Sequence, residues 1–220
     1  SSANAAPTAI TWGSASDNVG FTYTSAADAL GVDGLTFGVS AAFGDDNDGT
    51  ISSNAETSYS AGITYVTDAG DTTITIGGGF VNADDSNPLT VNDKADVVMM
   101  SATAVTGDLT LGVGWGSGSG VDGNTTEIDS AQILTAGAKY VSGDMTMSVG
   151  MVDAEAKDGA EGSDGTNTDT LESLSASVDY TVASGVTATV GYTDVSAGNE
   201  GSSVSGNSGS SWYVGANISF

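Results

Sequence analysis

The chain has 220 residues, 28 of them acidic against three lysines (Lys94, Lys139 and Lys157), with no arginine, histidine or cysteine and a formal charge of -25. Such a chain repels phosphate backbones, which excludes nucleic acid as a partner, and it offers neither a disulfide framework nor thiol or imidazole metal ligands. No run of about 18 apolar residues is present for a membrane helix, and the start lacks the basic and apolar regions of a signal peptide, so Ser1 is read as a mature or truncated start.

In chain order, Val19, Phe21 and Tyr23 alternate with small or polar residues, as side chains on a strand must. The same period of two follows in Leu35, Phe37, Val39, Ala41 and Phe43, in Tyr59, Ala61, Ile63 and Tyr65, and in Ile74, Ile76 and Phe80. Residues 95–105 are strand-like with an ambiguous phase. Beyond them come Leu109, Leu111, Val113 and Trp115, then Leu134, Ala136, Ala138 and Tyr140, then Met145, Met147, Val149 and Met151. Leu174 to Val182, Val186 to Tyr192, and Trp212 to Phe220 complete the series. Eleven strands follow from Val19 onward, and 8–12 (TAITW) would make a twelfth.

Connections alternate between short and long. Short turns at 68–71, 106–108, 142–144 and 183–185 supply Gly with Asp or Ser for tight hairpins, and 31–34 is a slightly longer version. The others are acidic, Gly- and Ser-rich loops at 44–56, 82–96, 116–129, 153–169 and 194–209. Turn glycines recur roughly every 40 residues, the signature of a repeated up-and-down hairpin rather than a Greek key.

Strand faces opposite the apolar ones carry mostly Thr, Ser and Gly, and Asp179 is the one acid expected mid-strand. Charge thus avoids a layer about 25 Å tall, the height of a membrane barrel's apolar band. Aromatics sort to its two ends: Tyr23, Tyr65, Tyr140, Tyr180 and Phe220 toward the short turns, and Phe43, Tyr59, Phe80, Trp115, Tyr192 and Trp212 toward the long loops. These read as two interfacial girdles. Because backbone groups in lipid must be paired within the protein, the strands are expected to close. The fold class is all-β, an antiparallel up-and-down transmembrane β-barrel forming a single domain over residues 1–220.

Alternating strands, short turns opposite long acidic loops and a last strand ending in Phe220 resemble the general diffusion porins of Gram-negative bacteria over nearly the whole chain. The resemblance implies the outer membrane, contact with lipid and lipopolysaccharide, a homotrimer, and a passive water-filled channel for small hydrophilic solutes and ions. Phe220, with Tyr213 and Ile218, is similar to the terminal signal read by the barrel-assembly machinery. Residues 17–46 resemble the hairpin after the constriction loop of sixteen-stranded porins. That likeness makes 1–16 the tail of the loop and 17–220 the strands and external loops, with five further strands preceding them. One departure stands out: porins of that kind oppose an acidic constriction loop with wall arginines, and this chain has no arginine.

On these strand phases Asp179, Lys139, Thr73, Thr75, Thr110, Thr146, Ser148, Ser175, Ser177, Thr187 and Thr189 face the water column. Negative loops concentrate cations at the mouth within a Debye length of about 8 Å, giving a modest cation preference. With no His or Cys, and with pairs such as Asp84 and Asp85 lying on polar loops, no active site is proposed and no enzyme is expected. Asp45, Asp46, Asn47 and Asp48 resemble part of an oxygen-donor loop for weak Ca2+ or Mg2+ binding, without the closing Glu of the twelve-residue pattern; no other cofactor is expected. Two other readings remain: a secreted calcium-dependent adhesin or surface-layer protein, whose nonapeptide repeats are missing, and a non-conducting scaffold barrel. Strand number separates the latter, since eight strands fill with side chains and sixteen leave a channel.

Overall fold

The computed structural model describes residues 19–43, 57–85, 93–122, 126–158, 168–198 and 206–219. They form β1 (Val19–Thr24), β2 (Leu35–Phe43), β3 (Thr57–Ala69), β4 (Thr72–Asp85), β5 (Asp93–Thr106) and β6 (Leu109–Asp122). Then follow β7 (Thr126–Ser142), β8 (Met145–Asp158), β9 (Thr168–Ala183), β10 (Val186–Gly198) and β11 (Asn207–Ile218). All eleven pair in chain order in one sheet, each antiparallel to its neighbours. The up-and-down meander expected from the alternating connections is therefore present, its first strand among the described residues beginning at Val19; residues 8–12 lie outside the described residues.

Local chemistry sets the hairpins. Gly70, Gly107 and Gly143 have φ of 65°, 53° and 57°, and the Asp after each is not in the left-handed region, the pattern of two-residue turns that match strand twist. Between β1 and β2 the link is longer than the expected 31–34 turn. It includes a 3-10 turn at Ala29–Gly31 with Asp28 and Leu30 at φ 59° and 57°. The Asp28 Oδ1 accepts a hydrogen bond from the Gly34 N–H at 2.7 Å, and the Ser25 Oγ accepts one from the Phe37 N–H at 2.9 Å. Such side-chain acceptors let a short polar residue hold the left-handed conformation.

At the other end the strands run further than the composition indicates. Residues 116–129, expected as an irregular loop, are mostly paired: β6 extends to Asp122 and β7 starts at Thr126, with register shifts at Gly118/Gly120 and Ile128/Ser130. Asp96, Asp153, Glu155, Glu172 and Asp194 also lie within strands rather than in loops. The physical reason is that, past the apolar band, ladder bonds still satisfy the backbone while a carboxylate points freely into water.

Register brings most of the apolar residues of the strands onto one face. One row runs Leu35, Tyr65, Ile76, Ala102, Val113, Ala136, Met151 and Leu174 across seven strand pairings. It also fixes the ambiguous stretch: Val98, Met100, Ala102 and Ala104 belong to this face. No hydrophobic interior lies beneath it among the described residues. Among the described residues the buried hydrophobic side chains are Ala41 and Val81, while Leu111, Val149 and Val190 are 47%, 44% and 42% exposed. A single layer showing this much contiguous apolar surface needs an apolar solvent, and lipid supplies one. Among the described residues β1 pairs only with β2 and β11 only with β10, so each leaves one edge open.

Candidate functional site: the inner wall

The opposite face is built from Thr, Ser and Gly for the most part. A cavity of about 650 Å3 opens on it, lined by Thr22, Thr36, Gly38, Ser40, Ser60 and Ser101 among others, which makes this face the concave one. The structure places all eleven residues expected to face water on it, in adjacent register rows. Thr73, Thr110, Lys139, Ser148 and Ser177 share one row, which continues through Gly191 to Tyr213. Thr75 and Ser175 share a second, Thr146, Asp179 and Thr189 a third, and Thr187 lies in a fourth.

Hydroxyls on this wall bond to one another and to its carboxylates. The Ser40 and Ser60 hydroxyls are 2.6 Å apart and those of Ser175 and Thr193 are 3.3 Å apart. The Thr189 hydroxyl donates to Asp179, which is half-buried in the wall. A second carboxylate was hidden by its position beside a turn: Asp68 shares a row with Lys139 and accepts a hydrogen bond from the Thr73 hydroxyl at 2.7 Å. Its place at the end of β3 with the inward parity of Val66 and Thr64 was the available signal.

The girdle aromatics Tyr23, Tyr65, Tyr140 and Tyr180, and on the loop side Tyr59, Phe80, Trp115, Tyr192 and Trp212, all have the parity of the apolar face. Tyr192 and Trp212 are directly paired across strands, ring centroids 4.8 Å apart at 49°. The Tyr192 hydroxyl reaches Asp194 at 3.2 Å, so one ring has an apolar body beside its neighbour and a polar tip at the boundary. Phe220 and the side chain of Phe43 lie outside the described residues, as do Asp45, Asp46, Asn47 and Asp48. Among the described residues no three His, Cys, Asp or Glu side chains gather as metal ligands.

Sequence reasoning missed that the inner wall changes character toward the long loops, where Val81, Val97, Met99, Ile133, Val152 and Leu171 share the concave face. The signal was the run Val97, Val98, Met99 and Met100, apolar on both parities. Tyr213, which alternation sets on the face opposite Trp212 and Val214, lies on the concave face as a large ring among small residues. Its ring lies across Gly191, where an added Cβ would sit 2.1 Å from the Tyr213 Cζ.

A single-layer antiparallel meander with a lipid-compatible outer face and a hydroxyl-lined concave face defines the wall of an outer-membrane β-barrel. A family model described as Gram-negative porin matches residues 2–220, and the chain belongs to that family, whose place is the bacterial outer membrane. No curated protein matches the chain. Among solved structures it is similar to in-vitro folded OmpT, an outer membrane protein of Vibrio cholerae, at a TM-score of 0.53 and 14% identity, covering 91% of this chain and 63% of that one. The loop L8 deletion mutant of OmpT gives 0.52 and 16%, covering 90% and 62%. An anion-selective porin from Comamonas acidovorans gives 0.52 and 11%, covering 84% and 54%. The chain therefore spans less than two thirds of the length of these neighbours, with which it shares the fold.

Proposed function

We propose that this chain forms the wall of a passive, water-filled channel for small hydrophilic solutes and ions, with a modest preference for cations. The observation that carries the reading is the shared concave face of eleven polar residues behind a continuous apolar face. Water fills a wide barrel so lined, and solutes diffuse down their gradients. Selectivity follows from charge: 28 acids against three lysines set a negative potential at the mouth, and Asp179 and Asp68 outnumber Lys139 on the wall. The Comamonas acidovorans neighbour is an anion-selective porin; the charge here argues for the opposite sign.

On this reading the chain performs no catalysis: it has neither His nor Cys, and its carboxylate pairs, such as Asp84 and Asp85, are taken as solvated charge. We further propose a homotrimer, supported by the likeness to the trimer form of Vibrio cholerae OmpT (TM-score 0.50), with lipopolysaccharide around the outer girdle and assembly through the last strand. Reconstitution into planar bilayers tests the channel. Stepwise conductance in KCl and a reversal potential shifted toward K+ are expected; silence at all protein concentrations, or a shift toward Cl-, overturns it.

A further inference from the structure

The rule that sends apolar side chains outward fails at single valines set among hydroxyls near the short turns (Val66, Val105 and Val141) and, over several adjacent strands, in one region beside the long loops. On β4–β9, beside the long loops, Val81 pairs with Val97, Met99 is joined through Gly116 to Ile133, and Ile133 through Ala154 to Leu171, all on the concave face. Val97, Met99, Ile133 and Leu171, with Ala131 and Ala156, line a second cavity of about 510 Å3. Ile133 and Leu171 remain 44% and 42% exposed. Asp169 is in the same cavity wall and half-buried. Lys157, next to the Ala156 that pairs with Asp169, has the opposite parity and lies 3.3 Å from Glu155, so among the described residues no lysine stands beside Asp169 on this face.

A hydrated ion gains nothing from such a wall, because apolar contact replaces the hydrogen bonds that water would make. A solute with an apolar group does gain, in proportion to the surface it removes from water. Asp169 and the acidic loops select the sign of the rest of that solute. We propose that this patch is a subsite for organic monovalent cations bearing an apolar group, such as aromatic or branched alkyl amines, which contact it on their way to the hydroxyl-lined part of the channel. The proposal rests on the channel reading and refines it, dividing the inner wall into an apolar outer section that recognises and a polar section that conducts.

Bi-ionic reversal potentials in planar bilayers test it, with benzyltrimethylammonium against choline, on membranes where KCl steps have first been recorded. Benzyltrimethylammonium is expected to be the more permeant despite its greater bulk. The triple variant Val97→Thr, Ile133→Thr, Leu171→Thr should lower the ratio about fivefold, as for a ring shielded on one side, on membranes where its own KCl steps show that it has inserted. A wild-type ratio at or below one, or an unchanged ratio in the variant, overturns the subsite. Exclusion of the probe by a segment of the chain covering the patch gives the former result. Should the variant not insert, the wild type decides: conductance must saturate in benzyltrimethylammonium chloride while staying linear in KCl, and linearity in both overturns the proposal. KCl steps without benzyl preference sink the subsite alone, whereas silence in KCl sinks the channel and the subsite together.

Discussion

Ser148 and Val149 are consecutive on β8 and lie on opposite faces of the sheet. Val149 is 44% exposed in a row with Ala138 and Ala176 on the apolar face, while Ser148 lies between Lys139 and Ser177 on the concave one. The two faces teach that burial by protein is not what makes this fold stable. Within its apolar band the outer face excludes charge, because lipid cannot solvate it, whereas on the channel reading proposed above the inner face tolerates Ser, Gly, Lys or Asp because water would touch all of them. Every strand serves both through a period of two.

The sharpest way to break this comparison is to put one charge on each face. Val149→Lys is expected to cost about 2–4 kcal/mol and Ser148→Lys less than about 1 kcal/mol, read by urea unfolding in phospholipid vesicles. Equal costs would mean that the faces share one solvent. Next in size is Gly191→Ala, where the new Cβ collides with the Tyr213 ring. A loss of about 1–3 kcal/mol is expected from the crowding, and adding Tyr213→Ala should return most of it in a double-mutant cycle. Trp212→Ala removes the partner of Tyr192 and should cost about 1 kcal/mol beyond the lost area; no loss would show that this aromatic pair does not anchor the boundary. Smallest in stability is Asp179→Asn, which keeps an acceptor for the Thr189 hydroxyl and should change unfolding by less than about 0.5 kcal/mol. The K+/Cl- permeability ratio should nevertheless fall by about half, more visibly in 0.1 M than in 1 M KCl because screening tightens from about 10 to 3 Å. An unchanged ratio at both salts would assign selectivity to the loops alone.

Most of the strand phases were legible because Leu109 to Trp115 or Trp212 to Ile218 alternate apolar with small or polar residues, and that pattern has one reading in a half-apolar strand. Asp179 and Lys139 could be assigned to the inner wall by parity alone. Residues 95–105 resisted because Val97 and Met99 are as apolar as Val98 and Met100; only pairing of Met100 with Trp115 and of Met99 with Gly116 separates them. Residues 116–129 misled for another reason, since Gly- and Ser-rich composition describes a loop and a wet strand equally well.

The amino-acid sequence by itself determined the two faces, the tight Gly turns and hence the meander, because each depends on residues within a few positions of one another. Tertiary structure alone decided which residues become neighbours across strands: that Asp68 shares a row with Lys139, that Tyr213 covers Gly191, and that Val97, Ile133 and Leu171 meet in one apolar patch. The offset between adjacent strands is set by turn length and bulges together, and a pattern local to one strand carries no information about it.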